Sequence, residues 1–379
     1  MPCPHRAACL RVLFVVLAAV ALPVSAWPWG GATHVYIAQH YSQHLPPELH
    51  GLRAYDDQVV EKVNDPDRRK GQPGFEDEAY RHYIDIDYYP EFLDGTLPHD
   101  RAALEAEYGA GAILDQGVLP WAVGDVVTRL TTQFADHDWT ALSTTIADLC
   151  HYVGDANQPL HCTQNYDGQL TDNSGIHSRY ETSMMARYLD GFSTPAMSVS
   201  YYPNTVDEMF GIITVSWSGV STILNADTQA RRASGGSFDS TYYAALWLRT
   251  SALTHTRVDS ASVMTASFVY SAWVAAGRPA VPDSSALPGA GPELTISPNP
   301  CPLHSFVTAT IRYSGHGPLD LDVYDVTGAH VANLVHGATT DGRVRWTPGG
   351  AHQGQAAGVY FLRLSGPGTH VVKRLVFLG

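Results

Sequence analysis

The sequence predicts a mainly α region followed by a small all-β sandwich, and three observations carry that reading. Apolar residues recur at helical spacing in the longer first part, as at Leu142, Ile146, Leu149 and Val153. Between Gly277 and Pro292 the chain turns to Pro, Gly, Ala and Ser, the composition of a linker. Beyond it, Leu319, Leu321 and Val323 alternate with Asp320 and Asp322, the period-two signature of a half-buried strand.

Taken in chain order, the first element is a targeting segment. Arg6 and Arg11 flank an apolar run from Val12 to Leu22, and Val24-Ser25-Ala26 offers small residues for cleavage. Residues 1–26 thus read as a signal peptide, with a mature chain starting at Trp27 outside the cytoplasm. The apolar run is too short for a permanent membrane span, and no later stretch is expected to be transmembrane. Of the 5 cysteines, Cys3 and Cys9 leave with the signal. Cys150 and Cys162 are the plausible disulfide pair in an oxidising compartment, and Cys301 is left over.

Residues 27–280 form the helical region. Tyr242 to Leu253 and Val263 to Ala276 read as two further helices, rich in Ala, aromatic and aliphatic residues. The polar stretches from Asn64 to Phe75, Asn165 to Gly175 and Ser193 to Asn204 read as loops. Residues 281–292 complete the linker and 293–379 the sandwich. In the latter, Thr327-Gly328 reads as a turn, and Val359 to Leu364 and Val371 to Leu378 read as strands. The formal net charge of −14 with no basic stripe disfavours tight binding to a polyanion. It leaves a metalloenzyme open, because bound cations reverse the local field.

Chemistry concentrates in the helical region. His151 and Asp155 lie four apart on a predicted helix and share one face. His161 follows Pro159, where that helix should have ended. His177 and Glu181 repeat the spacing in His-Ser-Arg-Tyr-Glu. Imidazole and carboxylate are the usual ligands of hydrolytic zinc, and the two oxygens of Asp155 suit it to bridge two ions. One such pair alone is ordinarily a surface ion pair, and one histidine alone an ordinary loop residue. Five together in a weakly charged region point to metal. Upstream, Asn64-Asp-Pro-Asp67, the segment Arg81-His82-Tyr-Ile-Asp85-Ile-Asp87, and Trp27-Pro-Trp29-Gly-Gly-Ala-Thr-His34 are each weak signals by themselves.

Together these segments resemble the zinc-dependent phospholipase C superfamily, which includes the single-strand-specific three-zinc nucleases. The likeness covers roughly residues 27–280. It implies a helical fold of that type and about three zinc ions. In that pattern Asp67, His82, His151 and Asp155 hold one ion, and His161, His177 and Glu181 another. His34, Asp155 and the terminal amino and carbonyl groups of Trp27 hold the third. Trp29 is the alternative mature terminus, standing at the spacing to His34 of the nuclease branch.

The resemblance implies a hydrolase in which zinc-activated water attacks phosphorus, with Asp67 also orienting or deprotonating that water. Glu181, where the nuclease branch more often has Asp, favours phospholipase C type and a phospholipid substrate. Arg68 after Asp67 departs from the choline-specific enzymes. A single-strand nuclease is the alternative, and a non-catalytic zinc-stabilised surface protein a third reading. Ser297-Pro-Asn-Pro, Val323-Tyr-Asp-Val-Thr-Gly328, Ala357-Gly-Val-Tyr-Phe-Leu-Arg363 and Lys373-Arg-Leu-Val-Phe377 resemble bacterial immunoglobulin-like (Ig-like) C-terminal sorting modules, those of the type IX secretion system above all, which implies an Ig-like β-sandwich. They imply secretion machinery as a partner and a secreted or cell-surface location.

Overall fold

The computed structural model describes residues 30–282, 293–302, 306–312, 318–339, 342–347, 357–366 and 369–378. The signal-like segment, Trp27, Trp29 and most of the expected linker lie outside the described residues.

The helical body is built around the Trp139–Ala156 helix. The Asp138 carboxylate starts it by accepting a hydrogen bond from the Ala141 amide at 3.2 Å. Its residues are apolar or small on nearly every side, so it is buried on nearly every side. The helices Leu119–Ala135, Ser240–Ala275 and Asp56–Lys62 surround it. Leu142, Ile146, Leu149 and Val153 are at most 1% exposed, each contributing about 1.5–3 kcal/mol by burial. The helix stops at Ala156. A short 3₁₀ turn, Pro159–Cys162, then presents His161.

Three expectations change. The two helices expected between Tyr242 and Ala276 are one helix of 36 residues, Ser240–Ala275. Its polar middle is satisfied without leaving the helix. Thr254 Oγ1 bonds the Thr250 carbonyl at 2.9 Å and shares a hydrogen bond with the Tyr180 hydroxyl at 2.8 Å. Ser262 Oγ meets His44 Nε2 at 3.0 Å. The loop expected from Asn64 contains a helical turn, Asp65–Arg69, with Pro66 in its first turn.

Cys150 and Cys162 are both free and buried. The Cys162 thiol turns instead to the carbonyls of Ala156 and Gln158, 3.7 Å from each. As for membrane spans, Thr205–Ala233 is long and apolar enough to cross one, by length and composition. It comprises two helices that meet at Gly219, and Phe210, Ile212, Ile213 and Ile223 are buried in the body. Its apolarity is that of a core face.

The C-terminal part is a two-sheet antiparallel sandwich, as the alternation predicts. Its strands are β1 (Glu293–Ser297), β2 (Val307–Arg312), β3 (Leu319–Asp325), β4 (His330–Ala338), β5 (Gly342–Trp346), β6 (Gly358–Gly366) and β7 (Thr369–Phe377). One sheet has the order β1-β2-β5 and the other β4-β3-β6-β7. Leu294, Val307, Ala309 and Ile311 from the first meet Leu319, Leu321, Val323, Leu362, Leu364 and Leu375 from the second in one apolar core. The expected turn lies between β3 and β4, with Gly328 at a positive φ of 82° and the Asp325 carboxylate accepting from the Thr327 amide at 2.8 Å.

Candidate metal centre

Four segments converge on the Trp139–Ala156 helix. The Gly30–His40 helix brings His34, the Asp65–Arg69 turn brings Asp67, and a 3₁₀ turn at Glu78–His82 brings His82. Beyond Gly175 the chain enters a short α turn, then a π-helical turn over Arg179–Met184, which brings His177 and Glu181 together. Such π turns are rare and concentrate at functional sites. All the predicted ligands among the described residues therefore meet; Trp27 is outside them. Gly30 packs on the backbone of Glu181, where a Cβ would come within 3.1 Å of the Glu181 carbonyl oxygen.

The ligand atoms form three groups: His34, His151 and Asp155; Asp67, His82 and His151; and His161, His177 and Glu181. Within each group the atoms lie within 4.8 Å of one another. Asp155, fully buried, sits between the groups, with Oδ1 3.4 Å from both His34 Nε2 and His161 Nδ1. Its Oδ2 is 2.9 Å from His82 Nδ1 and 3.4 Å from His151 Nε2. The rings of His34 and His151 stack at 3.9 Å. That approach needs Gly154, because a Cβ there would come 2.8 Å from His34 Nδ1.

Backbone carbonyls set the tautomers of three histidines. Val63 O accepts from His151 Nδ1 at 2.8 Å, His82 O from His161 Nδ1 at 2.8 Å, and Tyr166 O from His177 Nδ1 at 3.1 Å. A carbonyl oxygen can only accept, so each Nδ1 carries its proton. In the neutral ring the Nε2 lone pair then faces the cluster.

Those Nε2 atoms stand against carboxylate oxygen, and His151 Nε2 also meets His82 Nδ1 at 3.1 Å. His161 Nε2 is 3.4 Å from Glu181 Oε2, and His151 Nε2 is 3.6 Å from Asp67 Oδ1. Lone pairs facing carboxylates repel unless a proton or cation lies between them. Two ligand atoms bound to one tetrahedral zinc at about 2.1 Å are about 3.4 Å apart, so this spacing fits a shared ion. Several of these atoms are buried with no hydrogen-bond partner: both ring nitrogens of His34, Asp67 Oδ2, His82 Nε2, Asp155 Oδ1 and His161 Nε2. A cation answers the chemistry of that donor set.

The protonation energetics agree with this picture. Burial works to raise the pKa of Asp155, but the charges of His151 and His161 hold it well below the ordinary range. Burial opposes ionisation of Glu181 too, yet His177 and His161 bring it to about 2. At Asp67 burial is likewise overcome, by His151 and by Lys70, whose Nζ lies 2.8 Å from Oδ1. Burial lowers the pKa of His34, with the charge of His151 adding to it. His151 and His161 are raised: burial opposes their charging, and Asp155 more than compensates together with Asp67 and Glu181. Without metal, the carboxylates thus draw protons onto these rings.

The structure adds residues that the motifs do not single out. Lys70 holds Asp67, Gln158 Nε2 donates to Glu181 Oε2 at 3.0 Å, and Glu78 Oε1 lies 3.5 Å from His82 Nε2. Only the basic run Arg68-Arg69-Lys70, directly after Asp67, marks any of them in the sequence. Asp85 and Asp87 stand beside the site. Asp87 accepts from Thr163, the Gln164 amide and Trp217, and burial raises Asp85 to about 7, helped by the charge of Asp87.

No family model matches the chain. A probable serine protease of Bradyrhizobium tropiciagri is 30% identical over 90 residues, which are 19% of this chain and 12% of that protein. The chain thus matches only a small share of that relative's length. Among solved structures, an alpha-toxin of Clostridium perfringens from an avian strain aligns with a TM-score of 0.41 and 11% identity, over 90% of this chain and 87% of that one. The alpha-toxin of Clostridium absonum aligns with a TM-score of 0.38 and 12% identity, over 92% of this chain and 95% of that one.

Proposed function

We propose that this chain is a zinc-dependent phosphodiester hydrolase of phospholipase C type. Its centre comprises His34, Asp67, His82, His151, Asp155, His161, His177 and Glu181, joined by the terminal amine of Trp27 once the signal is removed. One observation carries the reading: carbonyls fix His151, His161 and His177 with Nδ1 protonated, so that three Nε2 lone pairs converge on buried carboxylates. Backbone-oriented imidazoles of this kind are the usual support of a metal ligand.

Bound zinc supplies Lewis acidity to water and to phosphoryl oxygens. The chain's own residues do the rest. Asp155 bridges the groups by using both of its oxygens. Lys70 keeps Asp67 ionised, with Oδ1 toward the histidines and Oδ2 left to orient a water or take its proton. Lys70 also sets one positive charge beside the carboxylates, where a phosphodiester anion must approach.

The lipid reading draws support from the rim. Tyr166 is 52% and Leu170 70% exposed, both on the loop leading to His177, and the Tyr166 ring lies 6.1 Å from that of His177. An exposed aromatic side chain beside the cluster suits an apolar substrate. The same tyrosine could stack on a base, which makes single-stranded DNA the second substrate. We also propose that the sandwich serves export through type IX machinery, giving a secreted or surface-held enzyme.

The test is elemental analysis of the mature protein together with hydrolysis of phosphatidylcholine vesicles and of single-stranded DNA. The expected result is about three zinc ions per chain, with turnover of the lipid exceeding that of DNA. Full activity after exhaustive chelation overturns the metal reading. Zinc with turnover of neither substrate returns the chain to a non-catalytic role, and turnover of DNA alone makes it a nuclease.

A further inference from the structure

We propose that Arg69 and Arg179 are positioning residues that brace two separate halves of this centre, an inference that rests on the metal reading above. Each arginine follows a candidate ligand by two residues: Asp67 for Arg69 and His177 for Arg179. Each points away from the ligands, into its own buried network.

Arg69 ties together the three segments that form the first half. It sits on the turn that carries Asp67. Its Nε and one terminal nitrogen each donate to the Glu78 carboxylate at 3.3 Å, on the turn that carries His82. The other terminal nitrogen donates to Asp148 at 2.9 Å, and a bond of 3.1 Å reaches the Tyr152 hydroxyl; both residues lie on the helix that carries His151 and Asp155. The Tyr152 hydroxyl in turn donates to Glu78.

Arg179 does the same for the second half. It sits on the π turn between His177 and Glu181. It bonds Asp227, fully buried, at 3.0 Å, and the Tyr242 hydroxyl at 3.0 Å. That hydroxyl in turn donates to Asp227. Two further bonds, of 2.8 and 3.0 Å, hold the carbonyls of Ser174 and Asn173. Those residues belong to the loop whose Tyr166 carbonyl orients His177.

The two networks have the same chemical plan: an arginine donates to a tyrosine hydroxyl, which donates to a buried carboxylate. Among the bonds just named they share no residue. Interactions without shared partners couple weakly, and the links left between the halves run through the His82 carbonyl and Asp155, which both touch His161. A planar guanidinium spreads five donors over three nitrogens in a fixed fork, whereas an ammonium has three donors on a single nitrogen and cannot span acceptors placed around that fork. Replacement by lysine therefore keeps the charge and removes the brace. The centre should unload by halves.

Zinc titration against a chelating dye, on the full chain, tests this. Arg69→Lys should weaken zinc binding about 10-fold to 100-fold at the first half and less at the second, and Arg179→Lys should do the reverse. His177→Ala supplies the reference. On that background, Arg179→Lys should cause the smaller further loss and Arg69→Lys the larger. Tyr152→Phe and Tyr242→Phe, which each delete one hydroxyl, should repeat the split with smaller effects if a lysine variant fails to fold. Variants that fold, as judged by circular dichroism, and yet bind zinc like the wild type overturn the inference. So does equal loss from both halves in either variant. A wild-type chain that binds no zinc overturns the metal reading itself, and this inference with it.

Discussion

The helical body and the sandwich bury different chemistry. Among the described residues, every buried polar or charged side chain lies between Thr33 and Ser271. The buried set of the sandwich is apolar throughout, from Leu294 to Phe377. The sandwich holds together as a small β domain must, by alternate side chains meeting between two sheets. The body carries His34, His82, His151, Asp155, His161 and Glu181 in its interior, each at most 4% exposed. Burying such groups costs several kcal/mol apiece unless something compensates. The contrast separates a region shaped for stability from one that gives up stability to keep a reactive cluster in place.

That contrast can be broken or sharpened by experiment. The largest effect should come from Asp155→Asn, which keeps the shape and removes the charge shared between the groups. We expect kcat/KM to fall on the order of 1,000-fold, with loss of zinc and a lower melting temperature. Wild-type zinc content and turnover would reduce Asp155 to an ordinary helix residue. Next comes chelation followed by calorimetry. At a metal concentration a thousandfold above the dissociation constant, binding stabilises by about 4 kcal/mol. Removing zinc should therefore lower the transition of the body and leave that of the sandwich unmoved. Equal shifts in both would erase the contrast.

A smaller effect is pH dependence. His151 and His161 have raised pKa values in the metal-free protein, and a protonated ring offers no lone pair. Protons therefore compete with zinc from a higher pH than they would at a free imidazole. Affinity should rise with pH through that range and fall below it, by up to about tenfold per unit for each proton displaced. A flat affinity from about pH 8 to about pH 5 would mean that these rings do not bind the metal. The smallest effect should follow truncation before Glu293. Every proposed ligand precedes that point, so activity on a small soluble phosphodiester should stay within about twofold. A folded but inactive truncated chain would show that the sandwich contributes to the site.

The sequence speaks plainly where spacing and chemistry coincide. His151 and Asp155, and His177 and Glu181, are adjacent on their turns because four residues return to the same face. The alternation in β3 likewise announces its buried face, Leu319, Leu321 and Val323. It is silent where partners are remote. Arg69 meets Asp148 across 79 positions, and Arg179 meets Asp227 across 48. No local pattern distinguishes such arginines from solvated ones. Asp67 and His82 are weak signals alone and gain meaning only beside the rest. The strand β4 escapes notice because register shifts against β3 interrupt its alternation. The Ser240–Ala275 helix looks like two because Thr254 to Ser262 is polar in composition, although Thr254, Arg257, Val258, Ala261 and Ser262 are buried there.

One consequence of the carbonyl-oriented histidines concerns how this centre can change over generations. Val63, His82 and Tyr166 hold the imidazoles through main-chain oxygen, and the main chain has no codon of its own. Exchanging the buried Val63 for an apolar residue of similar size, or the exposed Tyr166 for another side chain, leaves the acceptor where it was, so the ring beside each stays aimed. Chain length has no such freedom. One residue inserted between Tyr166 and His177, or deleted near Val63, would slide the carbonyl away from its ring with every ligand still present. The reading frame of the loops, more than their spelling, is what this centre requires to be inherited intact.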